Sequence, residues 1–198
     1  MRKGLFAFLT LAVAVGMQPA SVSAQQWQVS LGAGPTIPVS RLGEEAETGF
    51  HVQGSVGYQL PSLPAGLRFD LLYQGFNAVE REPGIDVSYG GEWYRQIGGM
   101  LNFTVASPSS IGFLQPYALI GGGYFREWHD DRTYSGKHHN TLNFNAGAGV
   151  EFPILGTEGF LEVRMLNIFG GEALETGPPA VYPETQFKSI PVTLGVRL

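Results

Sequence analysis

From residue 26 to the C-terminus, apolar and polar side chains alternate with a period of two. In GFHVQGSVGYQL, Phe50, Val52, Val56, Tyr58 and Leu60 share one face, and His51, Gln53, Ser55, Gly57 and Gln59 share the other. In TLNFNAGAGVEF, Leu142, Phe144, Ala146, Ala148, Val150 and Phe152 alternate with Thr141, Asn143, Asn145, Gly147, Gly149 and Glu151. Successive side chains of a β-strand point to opposite faces, so each such segment is a strand with one apolar and one polar side. Eight segments are predicted, over 26–36, 49–60, 67–77, 92–106, 115–127, 141–153, 159–169 and 186–198. The fifth, containing PYALIGGGYF, is apolar on both faces and has no clear phase.

The composition of the polar faces decides what kind of β-structure this is. A face turned to water is rich in Lys and Glu. Here it holds Gly, Ser, Thr, Asn and Gln, and charged residues are only 15% of the chain, against about 25% in an ordinary soluble domain. Small uncharged groups suit the narrow lumen of a barrel whose apolar face lies in lipid. An eight-stranded barrel is just wide enough for its interior to be filled by side chains, and closure removes the sheet edges that hydrocarbon forbids. The expected fold is an all-β, eight-stranded, antiparallel up-and-down transmembrane β-barrel. Disorder is excluded by 12% aromatic residues. The absence of Cys excludes disulfide frameworks and thiolate metal sites, and a net charge of −5 argues against nucleic acid as a partner.

The N-terminus has a separate logic. Arg2 and Lys3 precede the apolar run GLFAFLTLAVAVG, and Val22-Ser23-Ala24 ends the segment on a small residue. This is the layout of a secretory signal peptide over 1–24, cleaved after Ala24, with the barrel domain over 25–198. No later segment reaches the ~18 consecutive apolar residues of a membrane helix.

The connections alternate in length. Those at 61–66, 107–114 and 154–158 are short, and those at 37–48, 78–91, 128–140 and 170–185 are long. In or beside the long ones lie Glu44, Glu45, Glu47, Glu80, Glu82, Asp86, Glu92, Glu127, Asp130, Asp131, Glu172, Glu175 and Glu184, which are 13 of the 17 acidic residues. The expected orientation puts the short turns in the periplasm and the acidic loops outside. Around Pro83-Gly84 the third and fourth segments are expected to continue as a hairpin above the membrane. Aromatic residues gather toward strand ends: Trp27, Phe69, Tyr117 and Phe152 on the short-turn side, Phe50, Trp93, Phe125 and Phe187 on the loop side. That spacing fits two interfacial girdles.

Six strand charges sit on polar faces near the short-turn end: Arg68, Asp70, Glu151, Glu162, Arg164 and Arg197. Three are positive and three negative, so they are expected to pair into one neutral plug in the lumen. His51 shares a polar face and is expected to be a hydrogen-bonded interior residue. The long loop EWHDDRTYSGKHHN gathers His129, His138 and His139 with Asp130, Asp131 and Ser135. These residue types serve as nucleophile, base and orienting acid, or as ligands of a divalent metal, but the spacing matches no acyl-transfer pattern. No catalytic, cofactor or metal site is assigned. Gly121-Gly122-Gly123 opens no helix and is read as strand packing, not a phosphate loop.

The signal peptide, the SLGAGPTIPVS opening, PYALIGGGYF, the GFLEVRM strand and the ending PVTLGVRL together resemble the small bacterial outer-membrane β-barrel proteins, the group of the OmpA membrane domain, OmpX and the opacity-type surface antigens. In that family a last strand of alternating apolar residues is read by the barrel-assembly machinery, and Ile190, Val192, Leu194, Val196 and Leu198 match it. Leu198 departs from the aromatic residue usual at the terminus. The resemblance implies export to the outer membrane of a diderm bacterium, with outer-membrane lipid, lipopolysaccharide and the assembly machinery as partners. It implies a non-enzymatic structural or adhesion role for the acidic loops, toward an extracellular partner the sequence does not name. The alternatives are a lipid-modifying enzyme with its site at the outer rim, and a small conduit or ligand-binding barrel.

Overall fold

The computed structural model describes residues 26–40, 43, 46–77, 80–82, 85–87, 93–129, 138–169 and 186–198. Ten strands form among them: β1 Trp27–Val39, β2 Gly49–Gln59, β3 Ala65–Asn77, β4 Glu80–Glu82, β5 Ile85–Val87, β6 Trp93–Ala106, β7 Gln115–His129, β8 His138–Ile154, β9 Thr157–Phe169 and β10 Gln186–Arg197. Eight close into an antiparallel barrel in the order β1-β10-β9-β8-β7-β6-β3-β2. The last strand pairs with the first, Leu31 facing Val196 and Ala33 facing Leu194, so no edge is left open. The remaining two, β4 and β5, pair with each other from Glu80↔Val87 to Glu82↔Ile85 as a separate ribbon. The hairpin expected between the third and fourth segments is found in this ribbon, which forms a two-stranded sheet of its own and does not continue the β3–β6 pairing.

The barrel is inverted relative to a soluble one. Leu31, Leu101 and Leu194 on the outer wall are 54%, 58% and 61% exposed, whereas Thr36, His51 and Gln74 facing the lumen are 0% exposed. A continuous apolar exterior of this extent is stable only against hydrocarbon. Several strands are longer than the alternation indicates: β8 has 17 residues and begins at His138, not 141. Its added residues His138, His139 and Asn140 lie on the loop side, where both faces are polar and a period of two leaves no trace in the sequence, whereas β3 and β9 each gain two residues at the short-turn end. A tilted strand needs only about 9–11 residues to cross the bilayer, so these strands carry the wall beyond it.

The lumen also holds an apolar layer that the polar-face reading does not anticipate. Leu72, Met100, Phe125, Leu166 and Ile168 are all buried in one interior cluster. Where Leu71 and Leu72, or Met165 and Leu166, stand side by side, both faces of the strand are apolar and alternation cannot reveal which points inward. Glycines on facing strands make room for the large inward rings. A methyl group added to Gly98 would lie 2.5 Å from the Phe125 ring, and one on Gly149 would lie 2.6 Å from Tyr117.

Candidate functional site

The densest constellation of functional groups lies in the lumen toward the short turns. Arg68 and Asp70 stand two apart on β3, and Glu162 and Arg164 stand two apart on β9, so each pair shares the inward face. In the closed order β3 and β9 are four strands apart in either direction. The two pairs thus meet from opposite walls. Arg68 Nε lies 3.0 Å from Asp70 Oδ1 and its Nη2 lies 2.8 Å from Glu162 Oε2. Arg164 Nη1 lies 2.7 Å from Asp70 Oδ2 and its Nε lies 2.5 Å from Glu162 Oε1. Each carboxylate touches both guanidiniums, giving a closed four-membered ring of zero net charge.

Two neutral side chains complete the ring. Tyr117 Oη donates to Glu162 Oε2 at 2.7 Å, and Asn102 Nδ2 donates to Asp70 Oδ2 at 2.7 Å. All four charged side chains are at most 6% exposed. Charges so buried are tolerable only when paired, and each of the four has two partners of opposite charge.

Glu151 and Arg197 do not join this ring, which corrects the expectation of a single six-residue plug. They pair with each other at 2.6 Å at the short-turn mouth, partly exposed, with Glu158 3.9 Å from Arg197. The register explains the separation: Glu151 faces Phe160, one inward position nearer the mouth than Glu162. The Arg197 guanidinium lies 6.0 Å from the centre of the Tyr117 ring, so Tyr117 stands between the two clusters.

Farther toward the loops, beyond the apolar layer, lies a second polar belt. Gln74 hydrogen-bonds Gln96, Gln96 Nε2 donates to Glu127 Oε1 at 2.9 Å, and Thr141 Oγ1 donates to the same oxygen at 3.4 Å. Glu127, which the sequence places at the end of the fifth strand beside a long connection, is 2% exposed and belongs to the lumen. His51 is buried between Thr36 Oγ1 at 2.9 Å and Thr193 Oγ1 at 2.8 Å, bridging β1, β2 and β10.

The aromatic sets separate as well. Trp27, Phe69 and Phe50 face outward as girdle residues, whereas Tyr117 and Phe125 point into the lumen and are removed from the girdles. A phase assigned to PYALIGGGYF would have found both, but its apolar residues on each face conceal that phase. The side chains of Trp93 and Phe187 lie outside the described residues, as do Asp130, Asp131, Ser135 and the side chains of His129, His138 and His139. The leader at 1–24 lies outside them too. Among the described residues no group of three or more His, Asp or Glu side chains is arranged to hold a metal ion. Ile190, Val192, Leu194 and Val196 occupy alternate positions of β10, and the Leu198 N–H donates to the Val29 carbonyl at 2.8 Å.

The architecture has counterparts of low sequence identity. The chain is similar in fold to Neisserial surface protein A, with a TM-score of 0.56 and 17% identity over 89% of this chain and 98% of that one. It is similar likewise to a major outer membrane protein from Thermus thermophilus, with a TM-score of 0.50 and 16% identity over 88% and 98% of the two chains. No curated protein matches the chain significantly by sequence. The sequence model of the outer membrane protein beta-barrel domain matches residues 6–171. Together with a closed barrel whose polar side chains line the lumen and whose apolar side chains face outward, that match establishes that the chain belongs to the outer membrane protein beta-barrel domain family of bacterial outer membranes.

Proposed function

We propose that this protein is a non-enzymatic, non-conducting barrel that serves as a rigid stand for its long acidic loops, which meet a partner outside the cell. The observation that carries this reading is the filled lumen. The ring of Arg68, Asp70, Glu162 and Arg164 spans the full width of the barrel, and an apolar layer of Leu72, Met100, Phe125, Leu166 and Ile168 is stacked beside it. Among the described residues the lumen thus carries a charged ring and an apolar layer at successive depths, an arrangement that opposes the passage of ions. A chain with nothing to conduct keeps only its outer wall and its loops for function, and loops on a rigid scaffold are where binding residues concentrate. Export rests on the leader at 1–24, cleaved after Ala24.

The test replaces loops 78–91 and 170–185 with short turns. The barrel is expected to fold and reach the outer membrane while cells lose attachment to host or abiotic surfaces. Ser135→Ala and His138→Ala are expected to leave both the attachment and the acylation pattern of membrane lipids unchanged. A changed lipid pattern in either variant, or unaltered attachment without the loops, would overturn the proposal.

A further inference from the structure

The membrane-facing wall is not uniformly convex. A groove of about 460 Å³ is cut into it across β3, β6, β7 and β8, lined by Leu71, Ile97, Gly99, Tyr124, Arg126 and Asn140 among others. The register explains it. Leu71, Gly99 and Tyr124 lie side by side on three adjacent strands, and all three face outward. The central glycine leaves a slot between a leucine and a tyrosine that are 52% and 64% exposed, and the Phe69 ring bounds it on the short-turn side, 3.2 Å from where a methyl on Gly99 would sit. One row nearer the loops stand Tyr73, Ile97, Arg126 and Asn140, again in direct register.

That second row marks the loop-side interface. Tyr73 packs against Phe50, ring centres 6.1 Å apart, and this outward aromatic pair sits where girdle residues sit, at headgroup depth. Arg126 and Asn140, both exposed, therefore present a guanidinium and an amide at the level of lipid phosphates, above a slot at the level of acyl chains. Arg95 lies diagonally beside Arg126 on the neighbouring strand and also faces outward. Among the described strand residues, the charged side chains on the outward face are Arg95, Arg126 and Lys188, all basic and all at the loop end, although the chain as a whole is acidic.

We infer that this groove is a binding site for one phosphorylated glycolipid of the outer leaflet, the lipid A portion of lipopolysaccharide, with an acyl chain in the slot over Gly99 and a phosphate held by Arg126 and Asn140. Guanidinium and phosphate match in charge and in forked hydrogen-bond geometry, and the low dielectric of the interface strengthens the pairing. Two guanidiniums in one place suit a headgroup with more than one phosphate. The site rests on the orientation proposed above, in which the loop end faces outward. That orientation is read separately, by protease cleavage near Arg81 or Lys137 on intact cells, so its failure is distinguishable from failure of the site.

The test uses the full barrel, refolded in detergent, stripped of lipid and titrated with purified lipid A, with lipid A lacking its phosphates and with phosphatidylglycerol. Bound adducts are counted by native mass spectrometry, and folding is checked by resistance to heat in gel electrophoresis. The parent is expected to retain lipid A at least tenfold more tightly than either other lipid. Arg126→Gln is expected to lose at least tenfold of that affinity, and Gly99→Leu, which fills the slot, to lose the rest. Lys188→Gln, on β10 away from the groove, is expected to bind as the parent does. Equal retention of phosphatidylglycerol, unaltered binding in folded Arg126→Gln, or an equal loss in Lys188→Gln would each overturn the site. Should Gly99→Leu fail to fold, the Arg126→Gln result decides alone.

Discussion

Arg164 on β9 reaches Asp70 on the opposite wall of the barrel at 2.7 Å, and the path between them crosses the whole lumen. Nothing along either strand requires this pairing. It arises because closure places β3 and β9 face to face and because each carries a charge pair at the same depth. The contact is thus tertiary in origin and couples two strands that share no backbone hydrogen bond.

Arg164→Met tests that coupling. It leaves Asp70 and Glu162 sharing Arg68 alone, one buried negative charge in excess. Breaking a buried pair from one side costs about 3–5 kcal/mol, because the remaining charge is desolvated and uncompensated. Both Arg164→Met with Asp70→Asn and Arg164→Met with Glu162→Gln should recover part of the loss, since either restores neutrality to the ring. Urea unfolding in detergent or lipid vesicles checks this. Equal stability of Arg164→Met and the parent would mean that water reaches the ring.

Arg197→Met provides the contrast. Arg197 and Glu151 are partly exposed at the mouth, at 12% and 19%. Water reaches such a pair more readily than the ring, so its loss should cost less than that of Arg164 by the same assay, between the ~1 kcal/mol of a surface pair and the ~3–5 kcal/mol of a buried one.

Conductance separates the two fillings of the lumen. Opening the ring by removing one of its four charged side chains, as in Arg164→Ala, should leave the barrel closed in a planar bilayer, because Leu72, Met100, Phe125, Leu166 and Ile168 still occlude the next level. Only a variant that also carries Met100→Ala and Phe125→Ala should pass ions. Open-channel steps in Arg164→Ala by itself would show that the apolar layer does not seal.

These outcomes follow from interior details that the sequence carries unevenly. The strand count and the inward side of β2, β8 and β10 are legible, because there apolar and polar residues alternate without interruption. The four ring residues are legible as candidates, since charge on a polar strand face inside a membrane wall has few other places to be. Their grouping is not. Alternation fixes the face of a strand but not its depth against the opposite wall, so Glu151 and Arg197 cannot be told from the ring without the register. Tyr117 and Phe125 escape for a different reason: in β7 the glycines and apolar residues occupy both faces, and no period survives. Glu127 reads as the last residue of its strand, beside the long loop, because β7 continues two residues past the point where the alternation ends.

The turn between β8 and β9 contains a residue at odds with its backbone. Leu155 has φ 47° and Gly156 has φ 83°, the double left-handed conformation of a tight hairpin turn, where Asn-Gly is the preferred pair. A branched apolar residue in that conformation costs about 1–2 kcal/mol. Leu155 gains no burial in return, being fully exposed at the tip. Leu155→Asn should therefore raise stability by up to about 1 kcal/mol in detergent unfolding. A loss of stability would mean that Leu155 is held by an apolar surface, such as the periplasmic leaflet.

The glycine opposite Phe125 offers the sharpest test of how the lumen is packed. A methyl on Gly98 would come within 2.6 Å of three carbons of that ring, while Gly98 itself is buried and cannot turn outward without breaking the β6 pairing. Gly98→Val should overpack the layer and destabilise by about 1–3 kcal/mol. Phe125→Ala alone opens a cavity and should cost about 3–5 kcal/mol. Combined, the two changes exchange volume across one contact, so their costs should be far from additive, with the double variant more stable than Phe125→Ala by itself. Thermal or urea unfolding of the four proteins closes the cycle. Additive costs would show that the ring of Phe125 moves aside when Gly98 grows, and that the lumen is less tightly filled than these distances require.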